Sequence, residues 1–378
     1  GRGVLPLLRG EVAVAGLYVH APFCRRKCAY CAFYSLPASE EARQRYAARL
    51  CAMLTCLPRP FPAAESVYFG GGTPPLLGAD AIASILDAAR RHPGVRNGAE
   101  ITVECNPEST DAAFIDRIAA AGVNRLSFGL QSVHPEQLRR LGREHTPEDA
   151  ARVLCEARRA GIHNLSLDVM LALPGQTETS LEETLAWCLG QDVPHLSAYL
   201  LSIEEGTRFA AEGVCPLPED SQAALYLYAA DRLERAGLFQ YEISNFARPG
   251  YESRHNRCYW TLEEYLGLGP AAHSFWGGRR LAFPAELEAF LEAPDPWALL
   301  SDMGAGGDLA ETVMLRLRLR EGLPVEEAAH PGLAAETLLL RARPLLEDGL
   351  LRHTGGALSL TPRGALVSNS IVGLLLGF

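Results

Sequence analysis

The chain has 378 residues, 35 Lys and Arg against 45 Asp and Glu, and a formal net charge of −10. Hydrophobic residues are 48% and charged residues 21%, an ordinary globular balance that excludes a dominant coiled-coil, collagen-like or disordered state. The acidic balance argues against a protein that chiefly wraps nucleic acid, and the length suits two domains or one barrel with an appendage.

From residue 16 to about 240, short β-branched or aromatic runs alternate with longer helical patterns. Strands are expected over 16–20, 66–70, 100–104, 125–128, 164–169 and 195–201. Helices are expected over 39–53, 79–91, 111–121, 147–160 and 181–189, with another over 222–236. Ser109 and Thr110 supply cap chemistry before the third helix, and Gly122 and Gly161 stand where helices should stop. Six β–α units imply parallel pairing, because each return needs a crossover helix. Such units wind doubly or curl into a barrel. We expect an α/β fold with a partial (β/α)6 barrel, because the chemically loaded residues fall at or just after strand ends.

The pattern changes near residue 250. The stretch 251–275 is dense in His, Tyr, Trp and Gly, and 277–307 reads as a Pro/Ala/Gly-rich connection. Helical patterns follow at 308–320 and 334–348, although the alternating Leu-Arg run 315–320 also fits a strand. Runs at 350–353 and 357–360 flank Thr354, Gly355 and Gly356, a hairpin signal. A last helix is expected from Pro362. The expected organisation is a barrel core (1–250), an aromatic and His-rich connection (251–306) and a smaller helical, winged-helix-like domain (307–378).

Ten cysteines are too few for a disulfide-built mini-domain, yet Cys24, Cys28 and Cys31 crowd into eight residues after the first strand. Nothing near the start reads as a secretory leader, and the apolar run 371–378 is far short of the about 20 residues that span a bilayer. That tail would dock on the barrel or touch a membrane surface. A reducing cytoplasmic setting follows, where clustered thiols read as metal ligands. Zinc sites prefer four ligands and paired C-x2-C motifs, and the chain has no second pair. Three thiolates on one loop instead suit three irons of a [4Fe–4S] cluster, with the fourth iron open. Arg25, Arg26 and Lys27 favour thiolate over thiol.

Gly70, Gly71, Gly72, Thr73 and Pro74 follow the second strand and form either a plain tight turn or a cradle that backbone can offer to a ligand. Glu104, Gln131, Arg143 and Asp168 belong to successive β–α units and are expected to point into one mouth, unless each is a salt bridge or cap. The run His255-Asn256-Arg-Cys258-Tyr259-Trp260 combines imidazole, thiol and flat apolar walls, which is what heme needs, or it is an aromatic docking segment. His255, His273 and Cys258 are the candidate iron ligands of such a heme. His20 and His145 fit either a supporting or a purely structural role. Cys51 and Cys56 read as core thiols, and no chemistry requires Cys105.

The C-x3-C-x2-C triad with Tyr30 before its third cysteine resembles the radical S-adenosylmethionine (SAM) superfamily. Tyr18-Val-His20-Ala-Pro-Phe-Cys24, Gly70-Gly-Gly-Thr73, Glu104-Cys-Asn106-Pro107, Ser127-Phe-Gly129-Leu-Gln131-Ser132, Leu141-Gly-Arg143-Glu-His145, Leu167-Asp168, Leu173-Pro-Gly-Gln-Thr177 and Tyr241-Glu-Ile-Ser-Asn-Phe246 narrow the match. Together with the His255–Trp260 run they resemble the HemW family of heme chaperones, relatives of the oxygen-independent coproporphyrinogen III oxidase HemN. The resemblance implies a [4Fe–4S] cluster on Cys24, Cys28 and Cys31. It implies a SAM site from Tyr18, Tyr30, Gly71, Gly72, Thr73, Glu104, Gln131, Arg143 and Asp168, with Ser202 as an addition on the sixth strand. It also implies heme as cargo at the His255 run with His255 as its ligand, a heme-acceptor protein that is soluble or membrane-associated, and an electron donor for the cluster; the acidic charge adds the expectation of no nucleic acid.

Two departures from the oxidase count against porphyrinogen decarboxylation. Phe33 stands where the oxidase has a further cysteine, and only about fifteen residues, including Leu5 to Leu8, precede the first strand. The competing readings are that oxidase activity and a DNA-binding regulator using the winged-helix-like domain, which the acidic charge disfavours.

Overall fold

The computed structural model of the protein describes residues 15–58, 60–326 and 333–378. Leu5 to Leu8 lie outside the described residues. Strands β1 (Ala15–Ala21), β2 (Ala64–Gly71), β3 (Val95–Cys105), β4 (Arg125–Gln131), β5 (Asn164–Leu171) and β6 (His195–Leu200) pair in parallel and in sequence order. This is the expected run of six β–α units. Every residue of β4 is buried, as a parallel strand covered on both faces requires.

The crossover helices are amphipathic in the manner that the sequence predicts. In Ala79–Arg91, Ile82, Ile85, Leu86 and Ala89 recur at helical spacing and are buried against the sheet. Thr146 and Thr177 close capping boxes on Pro147–Arg159 and Glu178–Gly190. The third helix, Ala112–Ala120, is capped by the Asp111 carboxylate, which accepts from Phe114 N at 2.8 Å, rather than by Ser109 or Thr110. A short helix, Pro135–Leu141, was not expected. It ends at Gly142 in the left-handed conformation and so delivers Arg143 to the barrel mouth.

The largest difference from expectation lies at the two sheet edges. The stretch 277–307 is not a bare connection. β9 (Glu264–Leu268) pairs in parallel with β1, and β10 (His273–Trp276), β11 (Arg279–Ala282) and β12 (Ser301–Ala305) extend the sheet antiparallel from it. On the other side β8 (Asn245–Ala247) pairs antiparallel with β6 and carries β7 (Phe239–Glu242) outside it. These strands are short and carry Gly, Ala and Arg, so no period marks them; the pairing partner supplies their order. Preceding β9, the helix Arg254–Thr261 lies across the N-terminal ends of β1–β3. The Glu100 carboxylate accepts from the amides of Arg254 and His255 at its first turn.

The C-terminal part has its own apolar core, including Val313, Leu338, Leu345, Leu358 and Ile371. The ambiguous run 315–320 resolves as the end of the helix Leu309–Arg316 followed by turns, not as a strand. β13 (Leu351–Thr354) and β14 (Ala357–Leu360) form the expected hairpin around Gly355 and Gly356, both at positive φ. Helix Ala335–Glu347 packs on it, and Ser368–Leu376 packs on that helix and on Leu309–Arg316. Among the described residues no helix is long and apolar enough to cross a membrane.

Candidate functional site

The loop after β1 carries the three cysteines and is pinned by backbone. Cys24 N donates to Leu36 O at 3.2 Å, Ala29 N to Leu141 O at 2.9 Å, and Cys31 N to Cys28 O at 3.3 Å. Phe23 and Ala29 anchor it in the core, which leaves Cys24, Cys28 and Cys31 half-buried and unbridged. Burial pushes the Cys28 and Cys31 thiols up, against the pull of Arg143 on Cys28 and of the Phe33 amide and Lys27 on Cys31. Iron–sulfur ligation displaces the proton of such thiols. Among the described residues no three Cys, His, Asp or Glu side chains converge on a single-ion position. Ligands to three different irons need not converge, so the donor set fits a cluster.

The glycine turn serves chiefly to bring that loop close. Gly72 N donates to Ala21 O at 2.8 Å and Thr73 N to Phe23 O at 2.7 Å. A Cβ at Gly72 would stand 2.7 Å from both of those carbonyl oxygens, and one at Gly71, whose φ is +105°, would stand 2.5 Å from the His20 ring. The expectation that these amides face a ligand therefore changes: Gly71 N is held by Glu104 at 3.2 Å, and the next two bond the cysteine loop. Thr73 keeps its hydroxyl 3.5 Å from Cys24 Sγ.

All three cysteines and the glycine turn line one cavity of about 830 Å³ that opens at the C-terminal ends of the strands and runs inward to Arg125 at the start of β4. Tyr18, Tyr30, Glu104, Gln131, Arg143, Asp168 and Ser202 line it too, so the structure brings together every expected SAM residue. Register explains this: Glu104 pairs with Ser127, Gly129 with Asp168, and Asp168 with Ser197, which aligns the inward side chains. Ser202 sits exposed at the rim, bonded to Glu204.

The carboxylates are poised by burial. Glu104 accepts from Tyr68 OH at 2.7 Å, and burial, with Asp168 near, pushes it up to about 7 despite that bond. Burial likewise raises Asp168, which accepts from Ser127 Oγ at 3.1 Å. Arg143 donates to Asn106 Oδ1 at 2.7 Å and Gly129 O at 3.1 Å, with its Nε left unpartnered. Gln131 has positive φ and accepts from Tyr199 OH at 3.1 Å. Carboxylates suit a sulfonium, an ammonium and ribose hydroxyls, and a guanidinium suits a carboxylate.

The histidines take structural places. His20 Nε2 donates to Tyr34 O at 2.9 Å, so its Nδ1 accepts from Tyr18 OH at 3.0 Å. His145 is buried between Glu108 and Leu130 O. His255, the expected heme ligand, is not on the cavity wall. It is 0% exposed, its Nδ1 is 2.8 Å from Ser66 Oγ and its Nε2 is 2.8 Å from Tyr259 OH. Its ring stacks on Tyr68 at 5.0 Å, and burial, with Arg125 near, pulls its pKa down to about 3. Cys258 is also buried and bonds Arg254 O, while His273 is exposed at the start of β10 and lies off the cavity. Asn256, Tyr259 and Trp260 do face the cavity.

Sequence reasoning did not single out Tyr68, Tyr199, Arg125 or Arg318, all of which line it. Alternation along β4 was a usable signal for Arg125, since 125, 127, 129 and 131 share a face. Arg318 carried none.

Comparison with known proteins agrees with this geometry. Residues 18–188 match the radical SAM superfamily, and residues 308–367 match the HemN C-terminal domain. The heme chaperone HemW of Mycobacterium tuberculosis is 37% identical over 96% of this chain and 95% of its own, and that of Escherichia coli K12 is 33% identical over 95% and 97%. The solved coproporphyrinogen III oxidase HemN of Escherichia coli superposes with a TM-score of 0.81 at 22% identity, over 97% of this chain and 91% of that one, which shows a shared fold. The cysteine loop, the glycine turn and the full-length likeness lead to one assignment: this chain belongs to the HemW family of radical SAM proteins.

Proposed function

We propose that the protein is a heme chaperone that binds a [4Fe–4S] cluster, SAM and heme and passes heme to an acceptor protein. The observation that carries the reading is the single cavity shared by the three cysteines, the carboxylate–arginine group and the aromatic pair Tyr259 and Trp260, whose rings meet edge to face. Cys24, Cys28 and Cys31 hold the cluster, which supplies an open iron and one electron when bound. Glu104 and Asp168 face the cationic and hydroxyl parts of SAM. Arg143 faces its carboxylate and is kept in place by Asn106 and Gly129. Heme lies against Tyr259 and Trp260, and His255 reaches its iron only by releasing the Tyr259 hydroxyl. A cytoplasmic setting and a reductant for the cluster belong to the same reading.

The test is anaerobic reconstitution followed by separate titrations. SAM should change the EPR spectrum of the reduced cluster. Arg143→Ala and Asp168→Ala should weaken SAM binding by about tenfold or more while leaving the cluster in place. Heme should shift its Soret band at about one per chain. A spectrum unchanged by saturating SAM, or the absence of a Soret shift, would sink the respective part. Phe33, 66% exposed on the cavity rim, holds the place of the oxidase's further cysteine. Coproporphyrinogen III with SAM and reductant should therefore give no protoporphyrinogen IX; steady product formation would overturn that.

A further inference from the structure

Away from the cysteines, the cavity is lined by side chains whose donors have no acceptor. Arg125 is 1% exposed, and its Nε and Nη1 have no hydrogen-bond partner. Trp260 Nε1 and Arg318 Nε are buried and equally unpartnered. Against these four donors stands one unpartnered acceptor from the same wall, Asn245 Oδ1.

The neighbouring carboxylates are already engaged. Both Glu100 oxygens accept at the start of the helix Arg254–Thr261, and Asp168 accepts from Ser127. Glu242 accepts from Ser244 N, Asn245 Nδ2 and Arg318 Nη2. Glu100 and Asp168 act on Arg125 electrostatically, yet among the described residues neither forms an ion pair with it. Arg318 arrives from the C-terminal part, where Arg320 N donates to Tyr241 O at 2.9 Å and holds the segment against the barrel. Its guanidinium lies over the Trp260 ring, 4.2 Å from the centroid. A buried surplus of donors beside aromatic side chains suits an apolar ligand that carries a carboxylate on its edge.

We propose that Arg125, Arg318 and Trp260 Nε1 form a carboxylate-binding end of the cavity, and that its occupant is a propionate of heme. This rests on the heme-binding reading above. It fixes the orientation of the macrocycle, with the propionate edge toward the C-terminal part. SAM also carries a carboxylate, so the test separates the two sources.

The cluster-loaded full chain is titrated with ferric heme, with ferric heme dimethyl ester and with SAM. Wild type should bind the ester about tenfold or more weaker than heme. Arg318→Gln should weaken heme by a similar factor, lose the preference over the ester and leave SAM binding unchanged. Arg318→Lys should recover part of it, because a point charge replaces a fork. The ester comparison uses the unaltered chain and so does not depend on any variant folding. Equal affinity of wild type for heme and ester, or an Arg318→Gln that binds heme as wild type does, overturns the proposal and leaves heme binding standing. Loss of SAM binding in Arg318→Gln with heme binding intact assigns the carboxylate to SAM and overturns the propionate. No heme binding by wild type overturns the heme reading, and this proposal with it.

Discussion

His255 Nε2 and the Tyr259 hydroxyl lie 2.8 Å apart across one turn of the helix Arg254–Thr261, with Ser66 on the other ring nitrogen. The imidazole is thereby built into the wall behind Tyr259 instead of standing open to the cavity. Its bonds also tie the helix to β2, beneath the stacked ring of Tyr68.

That relationship makes Tyr259→Phe informative. Removing the hydroxyl frees Nε2 and should tighten heme binding roughly two- to tenfold, the net worth of one hydrogen bond. An unchanged titration would mean that the iron takes nothing from His255. His255→Ala should cost about 2–4 kcal/mol of stability in either case, because it leaves a buried hole and two lost hydrogen bonds. A denaturant titration of the apo-protein reads this directly.

Cluster assembly should depend on Cys24, Cys28 and Cys31 alone. Each Ala variant should abolish the visible charge-transfer absorption after reconstitution. Cys51→Ala and Cys56→Ala should keep it, since Cys51 belongs to the helix Glu40–Thr55 and Cys56 is exposed just beyond it. An equal requirement for Cys51 would refute the assignment.

Gly72→Ala should impair cluster incorporation. The added methyl meets the carbonyl oxygens of Ala21 and Phe23 at 2.7 Å, and backbone cannot step aside as a side-chain tip can. A cost of about 1–3 kcal/mol with a displaced cysteine loop is expected. Gly190→Ala, with nothing within 4 Å of its new Cβ, is the control and should assemble normally. Equal iron content in both variants would count against the loop-packing role.

Apo-protein stability should fall as pH rises from about 4.5 to about 7. Glu104 has a folded pKa raised to about 7 by burial, so the folded state holds a proton that the unfolded chain has already released. Its contribution is fully present below the unfolded value and is lost as pH rises through the folded one, on the order of 3 kcal/mol. Glu104→Gln should flatten this part of the profile of denaturation midpoint against pH. SAM, which brings positive charge, should bind the ionised Glu104 better, so its affinity should rise through pH 7 in wild type and not in Glu104→Gln. Parallel profiles would dispose of the assignment.

The order of β1–β6 and the cysteine, glycine and carboxylate motifs were legible in the chain itself. Buried parallel strands are continuous apolar runs, and each motif sits within a few residues of the strand end that positions it. The edge strands were not legible, because Arg279–Ala282 and Ser301–Ala305 have no period of their own and exist through pairing with neighbours.

The sequence by itself determined which residues meet at the barrel mouth, since strand alternation and parallel register bring Glu104, Asp168 and the cysteine loop to one end. Only the tertiary structure decided that His255 is sealed beneath Tyr18, Tyr68 and Tyr259 while Tyr259 and Trp260 line the cavity. A helix of eight residues, Arg254–Thr261, carries all three, and its rotation is set by Glu100 at its first turn and by Ser66 and Tyr68 beside it. The same holds for Arg318, which reaches Trp260 across 58 residues of sequence because separate elements pack the C-terminal part against the barrel. Local pattern encodes the period of an element; the facing of a short helix and contacts between distant segments depend on partners that only folding supplies.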